Sequence, residues 1–203
     1  MNSEWQKFTV EQIATVKSGK RLPLGHTLID QPTLFPYIRL VDVADGSIQR
    51  ENLKFLTPDT RDAIKRYVVN TGDVGLAIVG NTIGMVFYVG AEWNDVNLTE
   101  NAARITSVHM SVNSKFIYYY LISPFGQAAI RSMTVGSAQG KLPLYNIKAL
   151  EFAAPARAEQ DRIVSILDSL SSRIDLLRES NRTLEAIVQA LFKSWFVDFD
   201  PAQ

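Results

Sequence analysis

The chain has 203 residues, 46% of them apolar, which suffices for one sizeable domain plus an appendage. Basic and acidic residues number 21 each, so charge alone does not announce nucleic acid, and the lack of cysteine excludes disulfides and cysteine-based metal sites. The opening stretch MNSEWQKFTVEQI is too charged for a signal peptide and no apolar run is long enough to span a bilayer; the expectation is a soluble cytoplasmic protein without membrane contact.

In chain order, Thr9 and Gln12 form a T-x-x-Q capping box for a short helix ending near Gly19. The run PYIRLVDV predicts a strand over Tyr37–Val43, closed by an Asp45–Ser47 turn. Thr57-Pro58 is an N-cap and N1 pair for a helix toward Arg66. DVGLAIVGNTIGMVFYVG reads as two strands around a tight Gly80-Asn81 corner, and ARITSV as another strand. SKFIYYYLIS and FGQAAIRSM read as helices broken at Pro124, and LEFAAP as a last strand. From Arg157 to about Val197 neither glycine nor proline occurs, which favours one helix of roughly 40 residues, about 60 Å long. The fold class is therefore α+β: a mixed α/β globular domain over residues 1–155 and a long helical arm over 156–203. Residues 1–155 carry 15 basic and 13 acidic side chains (+2) and the remainder 6 and 8 (−2), a mild asymmetry of the sign a nucleic-acid-binding head needs.

Catalytic patterns are missing. His26 and His109 are far apart, no H-E-x-x-H occurs, and no acid is followed two places later by lysine, as many metal-dependent nucleases require. GSAQGKL at Gly136–Leu142 has one residue too few between its glycines for a phosphate loop, and Leu142 stands where Mg²⁺ needs a hydroxyl. Polar, glycine-containing loops remain. VKSGKRLPLG carries Lys17, Lys20 and Arg21; VGNTIG carries Asn81 and Thr82; LTENAARI carries Asn101 and Arg104; TVGSAQGKLPL carries Ser137, Gln139 and Lys141. Arg and Lys suit guanine, Asn and Gln suit adenine, and Lys and Ser suit phosphates. The DNA-contact candidates are Lys20, Arg21, Asn81, Thr82, Asn101, Ser137, Gln139 and Lys141; solvated connecting loops are the alternative.

The last quarter is strictly periodic. Leu167, Ile174, Asn181, Val188 and Trp195 occupy a positions of a heptad, and Ile163, Leu170, Leu177, Leu184 and Leu191 occupy d. So narrow and long a stripe predicts a helix that meets another helix, against the alternative of an amphipathic helix lying on its own domain.

The stretch PARAEQDRIVSILDSLSSRIDLLRESNRTLEAIVQALFKSWFVDFDP resembles the conserved helical region of the specificity subunit of type I restriction-modification enzymes. Trp5, Ser18–Lys20, YIRLVDVADG, TGDVGLAIVGNTIG and GSAQGKLPLYNIKALEFAAP resemble that family's target recognition domain. A complete member has two recognition domains and two such helices, whereas this chain has one of each and looks like the first half of a subunit, either shortened or a natural half-subunit. The resemblance implies that each domain reads one half of a split double-stranded DNA target. The antiparallel helices would set the spacing and carry methyltransferase subunits, and a restriction subunit would join the assembly. The chain itself would be non-catalytic and bind no cofactor; S-adenosylmethionine, ATP and Mg²⁺ would belong to partner subunits. The arm would pair with the missing second half or with a second copy. A dimeric coiled-coil scaffold or regulator whose head binds protein stays open, as does a cryptic nuclease.

Overall fold

The computed structural model describes residues 5–136 and 140–200. The chain divides into two compact units, Met1–Asp161 and Arg162–Gln203. The first opens with β1 (Gln6–Thr9), α1 (Val10–Ile13), β2 (Ala14–Ser18) and β3 (Pro36–Ile38). Next come β4 (Val43–Ala44), β5 (Ser47–Ile48), β6 (Lys54–Phe55), α2 (Pro58–Ile64), β7 (Val68–Val69), β8 (Val74–Ala77), β9 (Val86–Tyr88), β10 (Val96–Leu98) and β11 (Ala102–Ser107). It closes with α3 (Ser114–Ile122), α4 (Pro124–Ser132), α5 (Leu144–Ala149) and β12 (Glu151–Ala154), and α6 (Arg157–Phe196) begins within it. The class is the expected α+β with a long C-terminal helix.

Two four-stranded sheets form the frame. One has the order β2-β11-β8-β9 and is antiparallel throughout. The other, β6-β3-β10-β7, has a parallel β3–β10 pair and antiparallel flanks. Their apolar residues share a core, with Ile38, Val69, Phe87, Trp93, Val96, Leu98 and Ala102 each at most 5% exposed. Gly75 makes room for it: a Cβ there would lie 2.0 Å from the Phe87 ring on the neighbouring strand. The β1–β12 ribbon pairs Gln6 with Ala154 and Thr9 with Glu151, joining the start of the unit to its last strand. The first turn of α6 is fixed by Gln160, which is 1% exposed. Its Oε1 accepts from Asn113 N–H at 2.9 Å, and its Nε2 donates to the carbonyls of Ser111 (2.9 Å) and Pro155 (2.8 Å).

Several expected elements end differently. Gln12 Oε1 does accept from Thr9 N–H at 2.8 Å, but α1 stops at Ile13 and not near Gly19. Thr15 and Val16, both β-branched, pair instead with Thr106 and Ile105 of β11. The strand expected over Tyr37–Val43 is interrupted by a 3-10 turn at Leu40–Asp42, where Arg39 grips the buried Asp42 through Nε (2.9 Å) and Nη2 (2.6 Å). The corner at Gly80-Asn81 is no tight hairpin. It is a 3-10 turn, Gly80–Thr82, within a wider loop. Helix α5 follows Pro143 without a side-chain cap, which left no polar signal for it in the sequence.

The second unit is the remainder of α6, 40 residues in all and about 60 Å long. Seven of its heptad side chains, Leu170, Ile174, Leu177, Leu184, Val188, Leu191 and Trp195, are 48–64% exposed. Asn181 is exposed among them, while Ile163 and Leu167 are partly covered. Among the described residues no helix is long and apolar enough to cross a membrane.

Candidate nucleic-acid interface

The strand ends of the two sheets bring separate loops together by backbone hydrogen bonds. Gly19 N–H donates to Ala102 O at 3.0 Å and Lys20 N–H to Leu98 O at 2.9 Å, which ties the Lys20-Arg21 loop to the β10–β11 connection. Asn101 O, in that connection, accepts from Ile78 N–H at 2.9 Å. Ile78 O accepts from Leu142 N–H at 2.9 Å, and Gly140 O accepts from Gly80 N–H at 3.0 Å. The result is a continuous belt of loops carrying Lys20, Arg21, Asn101, Asn81, Thr82 and Lys141. Ile78 thus ties the β8–β9 connection to two other loops. Ser137 and Gln139 lie outside the described residues.

The side chains on the belt differ in freedom. Lys20, Arg21, Asn81 and Lys141 are exposed, and Thr82 and Asn101 are partly covered. Thr82 Oγ1 donates to Val79 O at 2.9 Å and so shapes its own turn. Lys20 Nζ lies 5.4 Å from the centroid of the Tyr67 ring, a cation–π contact. Its carbonyl accepts from the Tyr37 hydroxyl at 2.8 Å, and burial pushes the Tyr37 phenol up to about 12, so it stays a neutral donor. Arg21 Nε donates to Glu100 Oε1 at 2.9 Å. Burial pushes the Glu100 carboxyl up, but the hydrogen bonds from Arg21, from its own backbone and from Thr99, with the attraction of Arg21, outweigh that and hold it below its ordinary value. Glu100 is the belt residue that sequence reasoning missed: its partner is 79 positions away, and no local pattern announces the pair.

Arg104, grouped in the sequence with Asn101, does not belong to the belt. It sits in β11 with its side chain 16% exposed, donates to Val68 O and lies 3.8 Å from the buried Asp73 carboxylate. Its work is to satisfy buried acceptors. His26 Nδ1 sits 2.7 Å from Oγ1 of Thr60 in α2, and His109 Nδ1 is 2.6 Å from Ser111 Oγ two residues on, so each ring is engaged by a hydroxyl. Among the described residues no cluster of three or more His, Cys, Asp or Glu side chains could hold a metal ion.

Residues 2–186 match the family described as type I restriction modification DNA specificity domain. The chain is 30% identical over 155 residues to the type I restriction enzyme HindI specificity subunit of Haemophilus influenzae, covering 75% of this chain and 32% of that protein. It is 27% identical over 157 residues to the EcoBI specificity subunit of Escherichia coli, covering 77% of this chain and 33% of that one. It thus spans about a third of the length of these relatives. Among solved structures, the S subunit of the type I system of M. genitalium aligns over 98% of this chain and 48% of its own, with a TM-score of 0.64 at 19% identity. The HsdS subunit of Thermoanaerobacter tengcongensis aligns over 96% of this chain and 49% of its own, with a TM-score of 0.64 at 16% identity. At that identity the structural likeness speaks for the fold, and the sequence match speaks for the family. The chain belongs to the type I restriction modification DNA specificity domain family.

Proposed function

We propose that this chain reads DNA sequence for a type I restriction-modification enzyme. Its globular unit contacts one half of a split duplex target through the loop belt. Its helix pairs with another helix, sets the separation of the half-sites and docks the methyltransferase subunits. The single observation that carries the reading is the belt itself: four chain segments, distant in sequence, are cross-linked by backbone hydrogen bonds and carry guanidinium, ammonium, amide and hydroxyl groups. Those are the groups that meet base edges and phosphates. In this reading the chain does no chemistry. S-adenosylmethionine, ATP and Mg²⁺ belong to the methyltransferase and restriction subunits that it directs.

The helix supports the second half of the proposal. Burying an exposed Leu or Ile side chain completely is worth about 1.5–3 kcal/mol, so the five half-exposed Leu and Ile side chains of this row, with Val188 and Trp195 beside them, favour a partner helix strongly. A length of about 60 Å exceeds one duplex turn of about 34 Å, so the arm can bridge two half-sites on one face of DNA.

The test is assembly of this chain with its modification subunits, followed by binding to duplex DNA across a salt series and by methyl transfer from labelled S-adenosylmethionine. Target-dependent methylation and an affinity that falls steeply with salt are expected. Assembly without either would contradict the proposal in favour of a protein-binding scaffold. Methyl transfer by the chain alone would contradict its non-catalytic role.

A further inference from the structure

This inference rests on the reading of the globular unit as a DNA reader and assigns a base to one side chain. Arg21 is held by one edge only. Its Nε–H is taken by Glu100, yet its side chain remains 80% exposed, against 30% for Glu100. The Nη1 and Nη2 groups at the other end have no hydrogen-bond partner among the described residues. That end presents a pair of donors in a rigid fork, the arrangement that meets O6 and N7 of guanine in the major groove.

The anchor is itself anchored. Thr99 Oγ1 donates to the other Glu100 oxygen at 3.1 Å. The backbones beneath both residues are joined through Gly19–Ala102 and Lys20–Leu98, and the Tyr37 hydroxyl holds the Lys20 carbonyl. An acid on a surface meant for a polyanion weakens sequence-independent binding, because it repels phosphate and removes one counterion-releasing contact. What it gives in return is aim: a tethered guanidinium cannot swing to the nearest phosphate, and it pays less ordering entropy when it docks.

The geometry points to Arg21 as the guanine-reading residue of this surface and to Glu100 as the positioning residue that aims it. The experiment uses the methyltransferase assembled from this chain and its modification subunits. The target is mapped by adenine-methylation sequencing, and each guanine is then replaced in turn by 7-deazaguanine, which still pairs with cytosine but lacks N7. At one guanine the replacement weakens binding at least about fivefold, the lower end for a bidentate contact. Arg21→Ala weakens binding to the intact target and abolishes that sensitivity. Glu100→Ala reduces the sensitivity while raising affinity for non-target DNA, and Glu100→Gln, which keeps an acceptor for Nε–H, restores most of it. A target without guanine, or a 7-deazaguanine profile identical in the parent and Arg21→Ala, overturns the assignment and leaves DNA reading intact. Absence of any salt-sensitive duplex binding by the assembled complex overturns both.

Discussion

Gly19→Ala is the sharpest perturbation of the belt. A Cβ at this position would lie 2.1 Å from Thr99 O and 2.2 Å from Leu98 O. Both atoms are backbone, and they belong to the connection that carries Glu100, so neither can rotate away. The two chains must part, which strains or breaks the Gly19–Ala102 and Lys20–Leu98 hydrogen bonds of 3.0 and 2.9 Å. Overpacking costs about 1–3 kcal/mol and the loss of one of the two hydrogen bonds about 1 kcal/mol, so a loss of about 2–4 kcal/mol is expected. For a chain of this size that lowers Tm by roughly 5–15 °C. Urea denaturation followed by the fluorescence of Trp93, which is 5% exposed, reads the loss. Gly80→Ala is the matched control: φ is +64° but nothing lies within 4 Å, so only the left-handed backbone penalty of about 1 kcal/mol applies. The reasoning is refuted if Gly19→Ala costs no more than Gly80→Ala and leaves target discrimination unchanged.

Lys20→Ala and Lys141→Ala should weaken binding to all DNA sequences alike and each flatten the log-affinity versus log-salt slope by about one unit, as measured by anisotropy titration. Asn181→Leu should raise the melting temperature of the paired helices while making the assembly heterogeneous by light scattering, because an amide in an apolar row disfavours wrong registers; a more stable variant of unchanged homogeneity and unchanged half-site spacing would show that Asn181 specifies nothing. The Arg21–Glu100 contact has a defined pH signature. The Glu100 carboxyl is held below its ordinary value of 4.5, so the folded form keeps its charge to lower pH than the unfolded form does. The stability it contributes is complete above that ordinary value and is lost as pH falls through the lowered one, so guanine discrimination should stay flat from about pH 8 to about pH 5.5.

The parts of the fold legible in the sequence are those set by local chemistry. Thr57 caps α2 by accepting from Thr60 N–H, with Pro58 at the first helical position. Pro124 ends one helix and starts the next, with Ser123 capping the second. A stretch without glycine or proline became the single helix α6. What was illegible depends on partners far along the chain. The extended state of Ala14–Ser18 is imposed by pairing with β11, about 90 positions on. Strands β4 to β7 are two residues long, shorter than any hydrophobic period can reveal. On the belt, residue type alone picked out Lys20, Arg21, Asn81, Thr82, Asn101 and Lys141. Arg104, which the same stretch as Asn101 carries but which is not among the candidates, is turned inward beside a buried aspartate, a placement that residue type does not reveal. Glu100 and the obligatory glycine at 19 emerge only once β10 and β11 are folded beside them.

The central claim is that the globular unit chooses the DNA sequence. Exchange of residues 1–155 for the corresponding segment of a family member with a different target, followed by methylation sequencing of DNA from cells that also express the modification subunits, tests it most directly. The account predicts that methylated adenines move to a new split sequence in which the half read by the exchanged unit has changed and the spacing has not. An unchanged methylation pattern, produced by an assembled and active complex, would contradict it.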